Sequence, residues 1–324
     1  MADYKLDEKS LCGEFKQEAT RTGFGRGLVI AAEQDERIIA LAADLTDSVG
    51  FGDFATKFPN RFVEIGIAEQ NLVTVASGMA YIGKIPFAAS YAIFSPGRNW
   101  EQIRTTICIN NMPVKIVGSH AGINVGPDGA THQMLEDIAL MRVLPNMVVI
   151  APGDSLEAEK AAIAMAADPR PNYVRLAREK SQIFSTTDSP FEIGKAYVLR
   201  KGSDVSILST GTMTDQALVA AEQLKQKNIS AEVIHVPTIK PLDEETILTS
   251  ARKTGRVITV EEHQIAGGFG SAITELLAEK SPMPVKRIGV NDQFGQSGTA
   301  EELLKHYGLT AENIVKVAKD FSKY

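Results

Sequence analysis

The sequence predicts an α/β protein with two open, mainly parallel sheets, each covered by helices. Three observations carry that expectation. Short apolar runs rich in β-branched residues alternate with helix-length segments along the whole chain. The alternation restarts after a polar, turn-rich stretch at 178–194. The length, 324 residues, suits two domains at about 150 residues each.

In the first half, RIIALAAD (37–44), VKIVGSH (114–120) and MVVIAP (147–152) read as strands buried on both faces. Helices are expected over 69–82, 99–110, 133–144 and 154–167. Asp154 is a plausible N-cap for the last, with Glu157 three residues on, close to a capping box. In the second half DVSILST, SAEVIHV and RVITVEE read as strands. TDQALVAAEQLKQKN reads as a helix, and GGFGSAITELLAEK as a glycine turn leading into another. The expected domains are residues 1–185 and 194–324, joined by a linker at 186–193.

A net charge of -6 and the lack of any basic cluster argue against nucleic acid or an anionic membrane as partners. The charged start is unlike a secretory or transit peptide, and no apolar run approaches the ~20 residues that span a bilayer. Two distant cysteines, Cys12 and Cys108, lack metal-ligand spacing, so neither a disulfide framework nor a zinc site is expected, and the cytoplasm is the default compartment.

The segment richest in chemistry is GSHAGINVGPDGATHQ (118–133), which follows an expected strand and so lies at the carboxyl edge of the sheet. It holds His120, Asp128 and His132 among four glycines. Histidines of near-neutral pKa suit proton transfer, and a tight turn would bring Asp128 beside His132. The plainer alternative is a surface loop whose Asp and Gly make turns. GFGRG (23–27) lacks the dinucleotide fingerprint and precedes an apolar helix rather than following a strand. GGFGS (267–271) is compatible with anion binding, but a tight turn suits it better. Arg21 and Arg178 would grip a phosphate if the ligand carries one. Taken singly they read as surface charges, and Tyr91 and Phe94 as core aromatics. Glu69 opens the apolar helix at 69–82. Burying an acid there is costly without a partner or a task, and spacing leaves it undecided between helix-start electrostatics and function.

Taken together, these segments resemble the transketolase family of thiamine-diphosphate enzymes over essentially the whole chain. GIAEQN is similar to the segment bearing the family's cofactor-activating glutamate, and HAGINVGPDGATHQ resembles its histidine loop. AADLTDS, TIKPLD and EEHQIAGGFGS fit further family segments. The resemblance implies a thiamine-diphosphate-binding pyrimidine domain followed by a transketolase C-terminal domain. Glu69 would then hydrogen-bond the cofactor's aminopyrimidine ring and activate it. Tyr91 and Phe94 would pack on that ring, with Ile67 beside it and Asp44 nearby. His120 and His132 would contact the donor ketose and serve acid–base steps, and Asp128 would meet its hydroxyls. Arg21, Ser48 and Arg178 would form the substrate-phosphate site.

The family's Gly-Asp-Gly motif, which belongs to the domain holding diphosphate and metal, does not occur in this chain. The resemblance therefore implies a partner subunit, an N-terminal transketolase section that binds most of the Mg2+ or Ca2+, in a heterotetramer that transfers a two-carbon ketol unit between sugar phosphates. No metal ligand is assigned to this chain. Gly97 stands where a third cofactor-facing aromatic is common, and Ala121, Pro127 and Ala130 depart from the histidine-loop pattern, which bears on the substrate more than on the reaction class. A deoxyxylulose-phosphate synthase-like subunit, a ketoacid dehydrogenase β-like subunit and a non-catalytic assembly subunit stand as alternatives.

Overall fold

The computed structural model describes residues 4–7 and 16–321. Its larger sheet has seven strands in the order Thr238–Lys240, Val148–Ile150, Asn172–Arg175, Lys115–Ser119, Ile85–Tyr91, Ile38–Ala42 and Phe62–Glu64. All neighbours run parallel except the first pair. Burial on both faces explains the continuous apolar runs: Ile39 and Leu41 pack in one core cluster, Ile38 and Ala40 in another. The second sheet orders Val285–Val290, Val257–Gln264, Val205–Ser209 and Ala231–His235 in parallel, with Tyr197–Arg200 antiparallel at its edge. Gln17–Ala19 and Lys180–Gln182 form a small antiparallel pair.

The two expected sheets are therefore present, but the halves are not independent. Thr238–Lys240 leaves the second half to complete the first sheet. The turn-rich stretch at 178–194 is packed rather than free. Phe184 is fully buried, and the Asp154 carboxylate accepts hydrogen bonds from the Phe184 and Ser185 amides at 3.0 and 2.7 Å.

Asp154 also caps helix Ser155–Ala167, accepting from the Glu157 amide at 2.9 Å. The capping box does not close. The Glu157 side chain instead accepts from the Gly153 amide at 2.6 Å and meets His235 Nε2 at 2.6 Å. Two expected helices are shorter or altered. Over 99–110 the chain makes one α-helical turn, Trp100–Gln102, and then widens into a π-helix, Ile103–Cys108. Over 133–144 only Asp137–Arg142 is helical, because Gln133 is used to hold the loop before it, donating to the Ile123, Gly126 and Gln296 carbonyls.

GFGRG lies inside helix Thr20–Gln34, not before it. A Cβ on Gly23 or Gly27 would sit 1.8 Å from the Ser155 carbonyl oxygen or 2.1 Å from that of Glu159. These glycines let two helix backbones touch. GGFGS is a turn into helix Phe269–Lys280, and its first two helical amides are already taken: Glu261 accepts from Phe269 and Gly270 at 2.6 and 2.7 Å. Burial pushes the Glu261 carboxyl up to about 7, against the lowering effect of those bonds. Among the described residues, no helix is long and apolar enough to cross a membrane. Cys108 is buried, its thiol pushed up to about 11 by that burial, while Cys12 lies outside the described residues.

Candidate active site

Five strands of the larger sheet deliver candidate residues to one edge. Asp44 follows Ile38–Ala42, Glu69 follows Phe62–Glu64, and Tyr91 ends Ile85–Tyr91. His120 follows Lys115–Ser119, and Arg178 follows Asn172–Arg175. All are carboxyl ends of parallel strands, where side chains of an open α/β sheet converge.

Four rings form a continuous row there. The His120 imidazole stacks on Tyr91 at 3.8 Å between centroids and 20° between planes. Tyr91 stacks on Phe94 at 6.1 Å and 13°, and Phe94 meets His132 edge-on at 5.7 Å and 77°. Tyr91 and Phe94 are only partly buried, so the row is a surface that a flat ligand can share rather than core packing.

His120 is nearly enclosed and holds a left-handed backbone, φ 56°. Its Nε2 lies 3.0 Å from Arg21 Nη1 and its Nδ1 2.9 Å from Ser119 Oγ. Arginine only donates, so Nε2 accepts and the proton sits on Nδ1, donating to Ser119. Burial, then the nearby Arg21, Arg178 and His132, push the His120 pKa down to about 3. The expectation of a near-neutral pKa does not hold for this residue: it is a neutral hydrogen-bonding group at ordinary pH. His132 is half-buried, with Nδ1 3.0 Å from Thr131 Oγ1.

The expected Asp128–His132 pair does not form among the described residues. Asp128 faces Arg178 instead, at 3.5 Å, and Arg178 also donates to the Val125 carbonyl. Arg21 and Arg178 border an open cleft of about 500 Å³ shared with Lys180, Glu18 and Glu179. Both arginines are half-buried, not the surface charges that each suggested alone.

Glu69 begins helix Glu69–Tyr81 and is 2% exposed. Its partner is Arg98, which sequence reasoning missed. Arg98 Nη1 donates to Glu69 Oε2 at 2.5 Å while its Cζ stands 4.9 Å from the Phe94 ring centre. Asn99 Nδ2 donates to the Glu69 carbonyl at 2.8 Å, joining the same turn to the helix start. The signal was available: a buried acid needs a cation, and the arginine in FSPGRN directly follows the aromatic segment.

Three candidates lie outside this cluster. Asp44 is exposed in a left-handed turn, φ 58°, where its amide donates to Glu64 Oε1 at 2.7 Å. Glu64 also accepts from the Gly66 amide and Thr46 hydroxyl; burial alone would raise its pKa, but these bonds lower it. Ser48 is partly buried, two residues before Gly50, which packs against the Arg21 backbone, and no hydrogen-bond partner meets its hydroxyl among the described residues. Ile67 is 74% exposed.

Comparison with known proteins agrees with this architecture. The family model for the transketolase pyrimidine binding domain matches residues 16–182, and that for the transketolase C-terminal domain matches residues 194–314. The chain belongs to the transketolase family. It is 41% identical over 292 residues to a 6-deoxy-6-sulfo-D-fructose transketolase subunit of Clostridium sp. (strain MSTE9), covering 90% of this chain and 91% of that one. It is 39% identical over 306 residues to an apulose-4-phosphate transketolase subunit of Phocaeicola vulgatus, covering 94% and 98%. A solved structure described as a split gene transketolase, inactive beta4 tetramer, superposes with a TM-score of 0.88 at 45% identity, covering 93% of this chain and 97% of that one. Within the transketolase family, the ring row, Glu69 and the two arginines lie in the pyrimidine-binding half.

Proposed function

We propose that this chain is the C-terminal subunit of a split, thiamine-diphosphate-dependent transketolase, which transfers a two-carbon ketol unit from a ketose phosphate to an aldose phosphate. The observation that carries the reading is the placement of an almost fully buried carboxylate, Glu69, beside a half-open row of ring faces, with a two-arginine cleft at the other end. A flat heterocycle bearing an N–H donor fits that arrangement. Arg98 engages Glu69 Oε2, and among the described residues no donor reaches Oε1. Tyr91 and Phe94 would pack on the cofactor's pyrimidine ring with Ile67 at its edge, and Asp44 would lie near it. When bound, thiamine diphosphate supplies a carbon nucleophile that no side chain provides.

The chain's own groups then have separable tasks. Glu69 accepts a hydrogen bond from the ring nitrogen and holds a proton there, its carboxylate fixed by Arg98 and the helix start. Neutral His120, its Nδ1 held by Ser119, would accept from a sugar hydroxyl at Nε2 in exchange for its bond to Arg21. Half-buried His132 is the better placed of the two histidines to move a proton. Arg21 and Arg178, with Ser48 on the adjoining turn, bind the substrate phosphate, and Asp128 holds Arg178 and meets hydroxyls.

An N-terminal subunit would bring the diphosphate and metal site and form a heterotetramer in the cytoplasm. The subunit names of the relatives support that reading, as do exposed apolar residues on and beside helix Glu69–Tyr81, with Ile67, Tyr81 and Ile82 each more than 70% exposed. The test mixes the chain with that subunit, thiamine diphosphate and magnesium, and follows ketol transfer from xylulose 5-phosphate to ribose 5-phosphate. Activity should need both chains and be abolished by Glu69→Gln. Full activity of this chain alone would refute the split-subunit reading, and activity only with pyruvate as donor would replace it with a deoxyxylulose-phosphate synthase reading.

A further inference from the structure

The second half of the chain reaches the histidine loop through one carboxylate. Glu262, on strand Val257–Gln264, is 3% exposed and accepts two hydrogen bonds from Asn124: the amide at Oε1, 2.7 Å, and Nδ2 at Oε2, 2.9 Å. Thr212 adds a weaker bond to Oε2 at 3.4 Å. Asn124 passes the constraint on, because its Oδ1 accepts from the Arg178 amide at 3.1 Å. The same carboxylate lies against Gly122, where a Cβ would come within 2.3 Å of Oε1.

This arrangement has a chemical logic that packing alone does not need. An asparagine amide can flip, exchanging its donor and acceptor ends. Here one end faces a carboxylate, which only accepts, and the other faces a backbone N–H, which only donates. The carboxylate thereby fixes Asn124, and Asn124 fixes the backbone at Arg178, whose guanidinium holds Asp128 and the Val125 carbonyl. Among the described residues the cation drawn close is Arg175, which donates to the Glu262 carbonyl at 2.6 Å and pairs its Nε with Asp137 at 2.9 Å. A buried carboxylate with so little direct ion pairing is costly compared with an apolar residue of the same size.

We propose that Glu262 is a positioning residue for the sugar-phosphate site, acting through Asn124 to set Arg178 and the loop at 122–133, so that the C-terminal domain tunes donor binding. The proposal rests on the transketolase reading above. It also explains why loop 122–133 carries a second tie to the same domain, Gln133 Nε2 to the Gln296 carbonyl at 3.0 Å.

The test uses the reconstituted two-subunit enzyme and the full-length chain alone. Glu262→Gln places an amide N–H against Asn124 Nδ2, a donor facing a donor. KM for the ketose phosphate should rise about tenfold, as expected for one mismatched buried hydrogen bond, with kcat changed by less than about twofold, as for a loss of binding shared by ground and transition states. Hydrogen exchange should quicken in peptides covering 122–133 and 176–180. Combining Asn124→Asp with Glu262→Gln restores every donor–acceptor match with the charge moved across the pair, and should return KM and exchange to wild-type values. An E262Q enzyme with wild-type KM and exchange overturns the proposal, and so does a double variant that keeps the raised KM. If E262Q does not fold, the double variant decides alone: wild-type KM supports the proposal and a raised KM overturns it. A wild-type complex without ketol transfer would instead refute the functional reading beneath it.

Discussion

Replacing Arg98 with methionine tests whether Glu69 is held in its buried position by the arginine. The carboxylate is 2% exposed, the Arg98 side chain 49% exposed, and they meet at 2.5 Å. A hydrogen bond to a charged group contributes about 1.5–3 kcal/mol, and breaking a fully buried pair costs about 3–5 kcal/mol. Water reaches the arginine side, so the lower range applies, about 1.5–2 kcal/mol. The guanidinium standing 4.9 Å over Phe94 adds about 0.5 kcal/mol. Urea unfolding of the chain should therefore show R98M destabilised by about 2 kcal/mol. A double-mutant cycle with Glu69→Gln isolates the pair, because the amide no longer leaves a buried charge behind, and a coupling of about 1–2 kcal/mol is expected. Coupling within about 0.5 kcal/mol of zero would refute the reasoning, since sites that do not interact add to that precision. Glu69 would then be set by the helix start and its backbone bond to Asn99.

Other outcomes follow from the same geometry. Gly27→Ala should destabilise by about 2 kcal/mol despite better helix propensity, because the new Cβ meets the Glu159 carbonyl at 2.1 Å. Gly78→Ala, where a Cβ meets nothing within 4 Å on an exposed helix face, should stabilise by about 0.5 kcal/mol; equal effects in thermal melts would contradict the packing argument. Asp154→Ala should cost about 3 kcal/mol, more than an ordinary cap, because the Phe184 and Ser185 amides lose their acceptor along with Glu157. His120 has a folded pKa of about 3, below the unfolded value near 6.5, so its neutral form favours the fold. That contribution is complete above pH 6.5 and is lost as pH falls toward 3. The stability of His120→Gln relative to wild type should therefore improve as pH falls through this window, and a flat difference would contradict the assignment.

Much of this protein was legible before its structure. Continuous β-branched runs located central strands such as 37–44, 114–120 and 147–152, and apolar helix-length segments located helices such as 69–82 and 154–167, because burying apolar faces dictates both. The histidine loop and Glu69 stood out because ionisable groups beside apolar segments are costly without a purpose. Misses came where long-range partners overrode local signals. GFGRG reads as preceding a helix, yet it lies inside one, its glycines admitting the backbone at Ser155 and Glu159, more than 130 residues away in sequence. Glu157 looked like a capping-box acid, yet it turns to His235 of the other half.

The sequence by itself determined the alternation of elements, the family resemblance and which residue types stand at each strand end. Those follow from local periodicity and short motifs. Only the tertiary structure decided their pairing: Arg98 rather than water on Glu69, Arg178 rather than His132 on Asp128, and a neutral rather than titrating His120. Hydrogen bonds, ion pairs and pKa values depend on distances of a few ångströms between residues far apart in the chain, and spacing along a sequence carries no record of those distances.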